Sequence, residues 1–222
     1  MNNSVTNTAR LLGAGLRALL VLTLVTGVIY PLVVTGVAQA LFSNKANGSE
    51  IKSGGKVVGS SLIGQSYNLP LKKGQQTPDP DLKWFQGRPA NGLGANSVNT
   101  QYKLLLSGAT NLSADNKDLI KQVEDAKAAV IKDNSVAGYS VKASEVPADA
   151  VTSSGSGLDP DISPAYADLQ VHRIAARNGL SVAQVDKLVK DHTEGRTLGF
   201  MGEPRVNVLE LNIALKDLVA KK

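Results

Sequence analysis

The chain has 222 residues, with 24 Lys and Arg against 19 Asp and Glu and a net charge of +5, and its composition lies in the ordinary globular range, which excludes wholesale disorder. Cysteine is absent, so disulfide frameworks, thiol nucleophiles and thiolate metal sites are excluded. The basic residues are scattered, with only three Phe, one Trp and five Tyr to stack on bases, which argues against a nucleic-acid partner.

The first predicted element is apolar. No charged residue occurs from Ala18 to Asn44, and Arg10 and Arg17 precede this stretch, so the rest of the chain carries 22 basic against 19 acidic residues. The 25 residues 18–42 form a helix about 37 Å long at 1.5 Å per residue, enough to cross a hydrocarbon layer of about 30 Å with some tilt. The competing reading is a cleaved secretory signal, because Ala38-Gln39-Ala40 fits a small-x-small cleavage box. A signal's apolar region runs about 7–15 residues, and here the box lies too deep. The anchor reading divides the chain into an arm at 1–17, a transmembrane helix at 18–42 and one domain at 43–222. Pro31, after Tyr30, predicts a kink, and Gly27 and Gly36 are small positions at which another membrane helix can pack. Arg17 abuts the span and the arm has no acidic residue, which places the N-terminus inside and the domain outside.

Beyond the span, Glu50–Gly59 alternates around Gly54-Gly55, the pattern of a small β-hairpin. Residues 65–113 are rich in Gly, Pro, Asn and Ser, with Pro70, Pro78, Pro80 and Pro89 breaking any helix; both a linker and an ordered loop fit this stretch. Leu119, Val123, Ala126 and Val130 mark one face of a helix between Ser113 and Asn134. A second helix opens at Ser163-Pro164 and stops at Gly179, and a third opens on the capping box Ser181/Gln184 and runs towards His192. A fourth runs from Asn207, with Glu210 in the capping position, to Leu218. The fold class is therefore α+β: one transmembrane helix, then a domain outside the cytoplasm with a small β-hairpin or sheet and a mainly helical C-terminal half.

No phosphate-cradling loop, dinucleotide fingerprint or G-x-S-x-G elbow is present, and His172 and His192 lie too far apart for metal-ligand spacing. Two stretches invite a functional reading. Ser153 to Pro164 is a polar, glycine-bearing loop entering a capped helix, where Asp159 and Asp161 fit either a cation site or turn chemistry. Gln170, Arg173 and Arg177 share a helix face that suits phosphate or an acidic surface, or simply solvent.

Several strings resemble one family. Thr26-Gly27-Val28-Ile29-Tyr30-Pro31-Leu32, Asn47-Gly48-Ser49, Leu62-Ile63-Gly64-Gln65 and the long runs Val151–Pro160 and Val206–Asn212 resemble the KdpC family, the C subunits of Kdp potassium-transporting P-type ATPases. Phe85-Gln86-Gly87-Arg88-Pro89 is similar to a family element that continues with serine, here Ala90, and Ser107–Leu112 resembles another with two changes. The resemblance implies a subunit without enzymatic activity of its own, in a bacterial cytoplasmic membrane. Its implied partners are a channel-like potassium-binding subunit, an ATP-hydrolysing subunit, a small membrane peptide and the bilayer. ATP and K⁺, with Mg²⁺, act in the complex rather than as this chain's own cofactors.

Two modes of action are implied: stabilising assembly, or acting as a catalytic chaperone that raises the ATP affinity of the hydrolysing subunit through a glutamine. In the second, Gln170 beside Arg173 is the expected nucleotide contact. ATP is cytosolic, however, and the charge pattern places the domain outside. The expected partner contacts are Gly27, Tyr30, Pro31 and Gly36 in the span and Ser156, Gly157, Asp159, Arg205 and Asn207 in the domain.

Overall fold

The computed structural model describes residues 3–75, 77–95 and 105–221. It comprises two units, residues 1–50 and 51–222.

The first unit is helical from Asn3: α1 (Asn3–Leu24), a five-residue π turn (Val25–Ile29) and α2 (Tyr30–Ala46). The expected arm is thus helical in its described part, and charge rather than any break in the helix marks its boundary at Arg17. Pro31 explains the π turn. It has no N–H and its ring crowds the carbonyl four residues back, so the ladder widens just ahead of it and the Tyr30 N–H donates to Val25 O. The Thr26 hydroxyl adds a bond to Leu22 O at 2.7 Å. None of the long helix is buried, and leucines and valines point out on every side. An all-round apolar helix is what lipid requires and water does not favour. At its end Phe42 leaves helical geometry, while the side chains of Gln39 and Asn47 exchange two amide hydrogen bonds of 3.0 and 3.2 Å.

After the helix comes the expected hairpin, β1 (Glu50–Ser53) and β2 (Lys56–Ser60), turning at Gly54-Gly55, where both φ values are positive. A two-residue turn of matching twist needs that conformation and glycine adopts it without a steric penalty. The loop that follows is ordered in its described parts: Phe85 is fully buried, and β3 (Gly94–Ala95) pairs with β4 (Leu105–Leu106). The four predicted helices are all present as α3 (Lys117–Asn134), α4 (Pro164–Asn178), α5 (Val182–Asp191) and α6 (Val208–Ala220). Asn116, Ser163, Ser181 and Asn207 cap their first turns, and Gly179 ends α4 in the left-handed region.

Sequence patterning does not reveal the three-stranded antiparallel sheet β5 (Asp161–Ile162), β7 (Arg205–Asn207) and β6 (Thr193–Glu194), with β7 central. Its strands are two or three residues long, too short for alternation to register. The core gathers around α4, which packs on α3 and α5 and buries Tyr166, Ala167, Leu169, Val171, Ile174 and Ala175. Replacing Phe85 with Ala removes a fully buried aromatic side chain that the loop contributes, and is expected to destabilise the domain by about 3–5 kcal/mol. Denaturant unfolding of the full-length chain in detergent measures that loss.

Candidate functional site

The backbone from Leu82 to Gln86 runs along the core, into which it sends Phe85, without a strand partner, so its inward polar groups need side-chain partners. Helices α4 and α6 supply them. The Asn212 amide accepts from Phe85 N and donates to Phe85 O, both at 2.9 Å. Gln170 does the same for Gln86, accepting from its N–H at 2.7 Å and donating to its carbonyl at 3.1 Å. Arg173 Nη1 donates to Leu82 O and, at 3.0 Å, to Trp84 O. Asn178 donates to Lys83 O at 2.9 Å. Five consecutive carbonyls are thus held by side chains.

Arg173 also ties the clamp together, donating from Nε to Asn134 Oδ1 at 2.8 Å and from Nη2 to Gln170 Oε1 at 2.6 Å. Gln170 and Arg173 are 0% and 1% exposed, so the solvated-face reading is wrong for these two and holds only for Arg177. A polar helix face can point inward when the element it meets is bare backbone, which periodicity alone does not show. Burial pulls the Arg173 guanidinium down to about 10 and pushes the Tyr166 hydroxyl up to about 12.

Beside the clamp lies a cavity of about 360 Å³, lined by Gln170, Arg173, Gln86, Arg88, Asp133 and Tyr166 among others. That volume is at the small end for ligand sites. Tyr166 is 4% exposed, and its hydroxyl has no hydrogen-bond partner among the described residues. Asp133 forms no ion pair there, and burial raises its carboxyl above the usual range against the pull of Arg173. The Gln170 amide, by contrast, is already satisfied on both atoms.

The Ser153–Pro164 loop follows the turn-and-cap reading. Asp159 pairs with Arg88 at 3.0 Å and accepts from Asp161 N, while Asp161 pairs with Arg205 at 3.2 Å. Ser156 O accepts from Gly108 N and the Ser107 hydroxyl, and Gly157, at φ +68°, lies against Leu93. Arg205 also pairs with Glu194 at 2.7 Å, and Asn207 donates to Ser61 O at 2.9 Å. These residues hold loops together within one part of the domain. Gly27, Tyr30, Pro31 and Gly36 lie instead on the exposed helix, with open space around Gly36.

His192 caps α5, its Nδ1 2.8 Å from Leu188 O, as a lone histidine at a helix end is expected to do. His172 stacks flat on Tyr139, with centroids 3.7 Å apart. Sequence reading missed Asn134 and Asn212 as clamp residues. The signal for Asn212 was available: a polar residue between Val208 and Leu215 on the apolar face of α6.

Residues 12–217 match the family described as KdpC, the K⁺-transporting ATPase c chain. A potassium-transporting ATPase KdpC subunit of Streptomyces avermitilis is 82% identical over 220 residues, covering 99% of each chain. That of Streptomyces coelicolor is 74% identical, covering 99% of this chain and 98% of its own. The Gemmatimonas aurantiaca KdpC subunit is 45% identical, covering 92% of this chain and 94% of its own.

Arg173→Met keeps the stem and removes every donor, leaving acceptors of Leu82, Trp84, Asn134 and Gln170 short of a partner in the core. At about 1–3 kcal/mol for each group left unsatisfied, a loss of at least about 3 kcal/mol is expected in denaturant unfolding, with Arg173→Lys recovering only part. Asp133 gives a pH dependence. Its carboxyl is raised in the folded chain, so the folded state holds its proton to higher pH than the unfolded one. Stability therefore falls as pH rises from about 4 through the raised value. Asp133→Asn is expected to stabilise the chain at about pH 7 and much less at about pH 3.5, as read from unfolding midpoints at the two pH values.

Proposed function

The chain belongs to the KdpC family, and from that membership we propose that it is a non-catalytic accessory subunit of an ATP-driven potassium import complex, acting by stabilising assembly. The observation that carries this reading is the helix of 43 residues, with a long apolar stretch of which nothing is buried among the described residues. Such a surface needs lipid and the helices of other subunits to cover it. Gly27, Tyr30, Pro31 and Gly36 are then the contact positions, and the π turn ahead of Pro31 supplies a bend for another helix to follow. The partners are the channel-like potassium-binding subunit, the ATP-hydrolysing subunit and the small membrane peptide. K⁺, ATP and Mg²⁺ act on those subunits.

In this reading the N-terminus is cytoplasmic and the domain lies outside, following Arg10 and Arg17 ahead of the span. The clamp supports assembly over nucleotide contact. For Gln170 and Arg173 to meet a nucleotide, the bonds that hold residues 82–86 would have to break. The observation favouring the catalytic-chaperone reading is the cavity beside them with its unpartnered Tyr166 hydroxyl. That reading also requires the domain on the cytosolic side.

Affinity purification of the C-terminally tagged chain from potassium-starved cells in mild detergent, with intact-mass analysis of every recovered chain, tests the proposal. Recovery of the uncleaved chain with an ATP-hydrolysing and a potassium-binding subunit is expected. Recovery of the chain alone, shortened after Ala40, overturns it.

A further inference from the structure

Between β6 and β7 the chain makes a tight loop whose tip is apolar. Leu198, Phe200 and Met201 are 78%, 71% and 46% exposed. The loop is held by reciprocal backbone bonds between Thr197 and Met201 of 2.8 and 2.9 Å, with further bonds from Gly199 N to Arg196 O and Phe200 N to Thr197 O. At its base Arg196 pairs with Glu203 at 2.8 Å. Central β7 roots it in the core through Val206, which is fully buried.

Leu198 has φ +55° and Gly199 φ +82°. A turn with two positive φ values suits Gly, Asn or Asp, and a branched side chain is strained in the first position. The strained leucine is here the most exposed apolar residue of the loop. Strain of this kind together with an ordered apolar tip marks a contact surface rather than a solvated connection.

The charges around the tip decide what covers it. Arg196 is neutralised by Glu203, and Arg205 by Glu194 and Asp161, so two cations face three carboxylates. No lysine occurs between Lys190 and Lys216. An anionic lipid surface calls for free cations beside an apolar insert, and this tip offers none. A fluid bilayer also gains nothing from one fixed, strained shape, whereas a protein pocket does.

We propose that the Leu198–Met201 tip is a docking knob that inserts into an uncharged apolar pocket on another protein subunit of the complex. Leu198 and Phe200 are its anchors, and Met201 adapts to the pocket rim. The inference rests on the accessory-subunit reading and names a surface by which the domain takes part in assembly.

The test uses the tagged full-length chain co-produced with the rest of the complex and solubilised in mild detergent. With a benzophenone amino acid at position 200, light is expected to yield an adduct of this chain with another subunit of the same complex, identified by mass. The double variant Leu198→Asn, Phe200→Ser is expected to lower recovery of that subunit about tenfold, the loss typical of a hot spot. Its own unfolding midpoint should hold or rise, because asparagine relieves the turn. That pairing of weaker assembly with undiminished stability separates docking from a folding defect. An adduct with lipid only, an adduct between two copies of this chain, or no adduct with undiminished recovery overturns the knob. If the unsubstituted chain recovers no transporter subunit, the accessory-subunit reading itself fails, and that control is read before any variant.

Discussion

The domain depends on one constraint: residues 82–86, anchored by the buried Phe85, have no sheet to join, and their peptide groups as they turn into the core need partners. Asn212, Gln170, Arg173 and Asn178 reach in from two helices to provide it. Arg173 gives the arrangement its unity. Its guanidinium reaches two carbonyls of the loop, the asparagine that ends α3 and the glutamine one turn earlier on α4. Fixed fork geometry suits it to this task in a way that an ammonium does not. Among the described residues this buried cation forms no ion pair; backbone and amide dipoles solvate it instead, and burial lowers its guanidinium from the usual value.

The legible parts of the fold follow from local chemistry. Ser163 with Pro164, Ser181 with Gln184, and Asn207 each begin a helix where side chains close to them in sequence satisfy the first turn. The Gly54-Gly55 hairpin is legible for the same reason. The contacts between Arg88 and Asp159, and between Asn212 and Phe85, join residues 71 and 127 positions apart. No short-range pattern encodes such pairs. Gln170 and Arg173 stood out in the sequence, but as a face for solvent or phosphate; that the surface opposite is this chain's own backbone is a tertiary fact. The three-stranded sheet was illegible because strands of two or three residues carry too little alternation.

The first unit shows the opposite balance, with almost all of its structure legible. Length, charge gap and proline position together predict a kinked membrane helix, and at that place the structure has a π turn, because Pro31 frees carbonyls that a wider turn can still employ. The helix continues back through Arg17 and Arg10, which charge alone does not predict.

What the domain has available for other molecules is set by what the fold has already used. Arg88, Asp159, Asp161, Arg205 and Asn207 hold loops to one another, and the clamp occupies Gln170, Arg173 and Asn212. The polar residues that looked most functional in the sequence therefore act first on this chain's own backbone. Among the described residues, the exposed apolar surfaces include the long helix and the loop tip at Leu198–Met201. Within the domain the tip connects to the clamp, since β7 leads from the tip through Val206 to the Asn207 cap of α6, and α6 carries Asn212 to Phe85. Polar side chains thus serve the inside of the domain, while exposed apolar side chains remain at its surface.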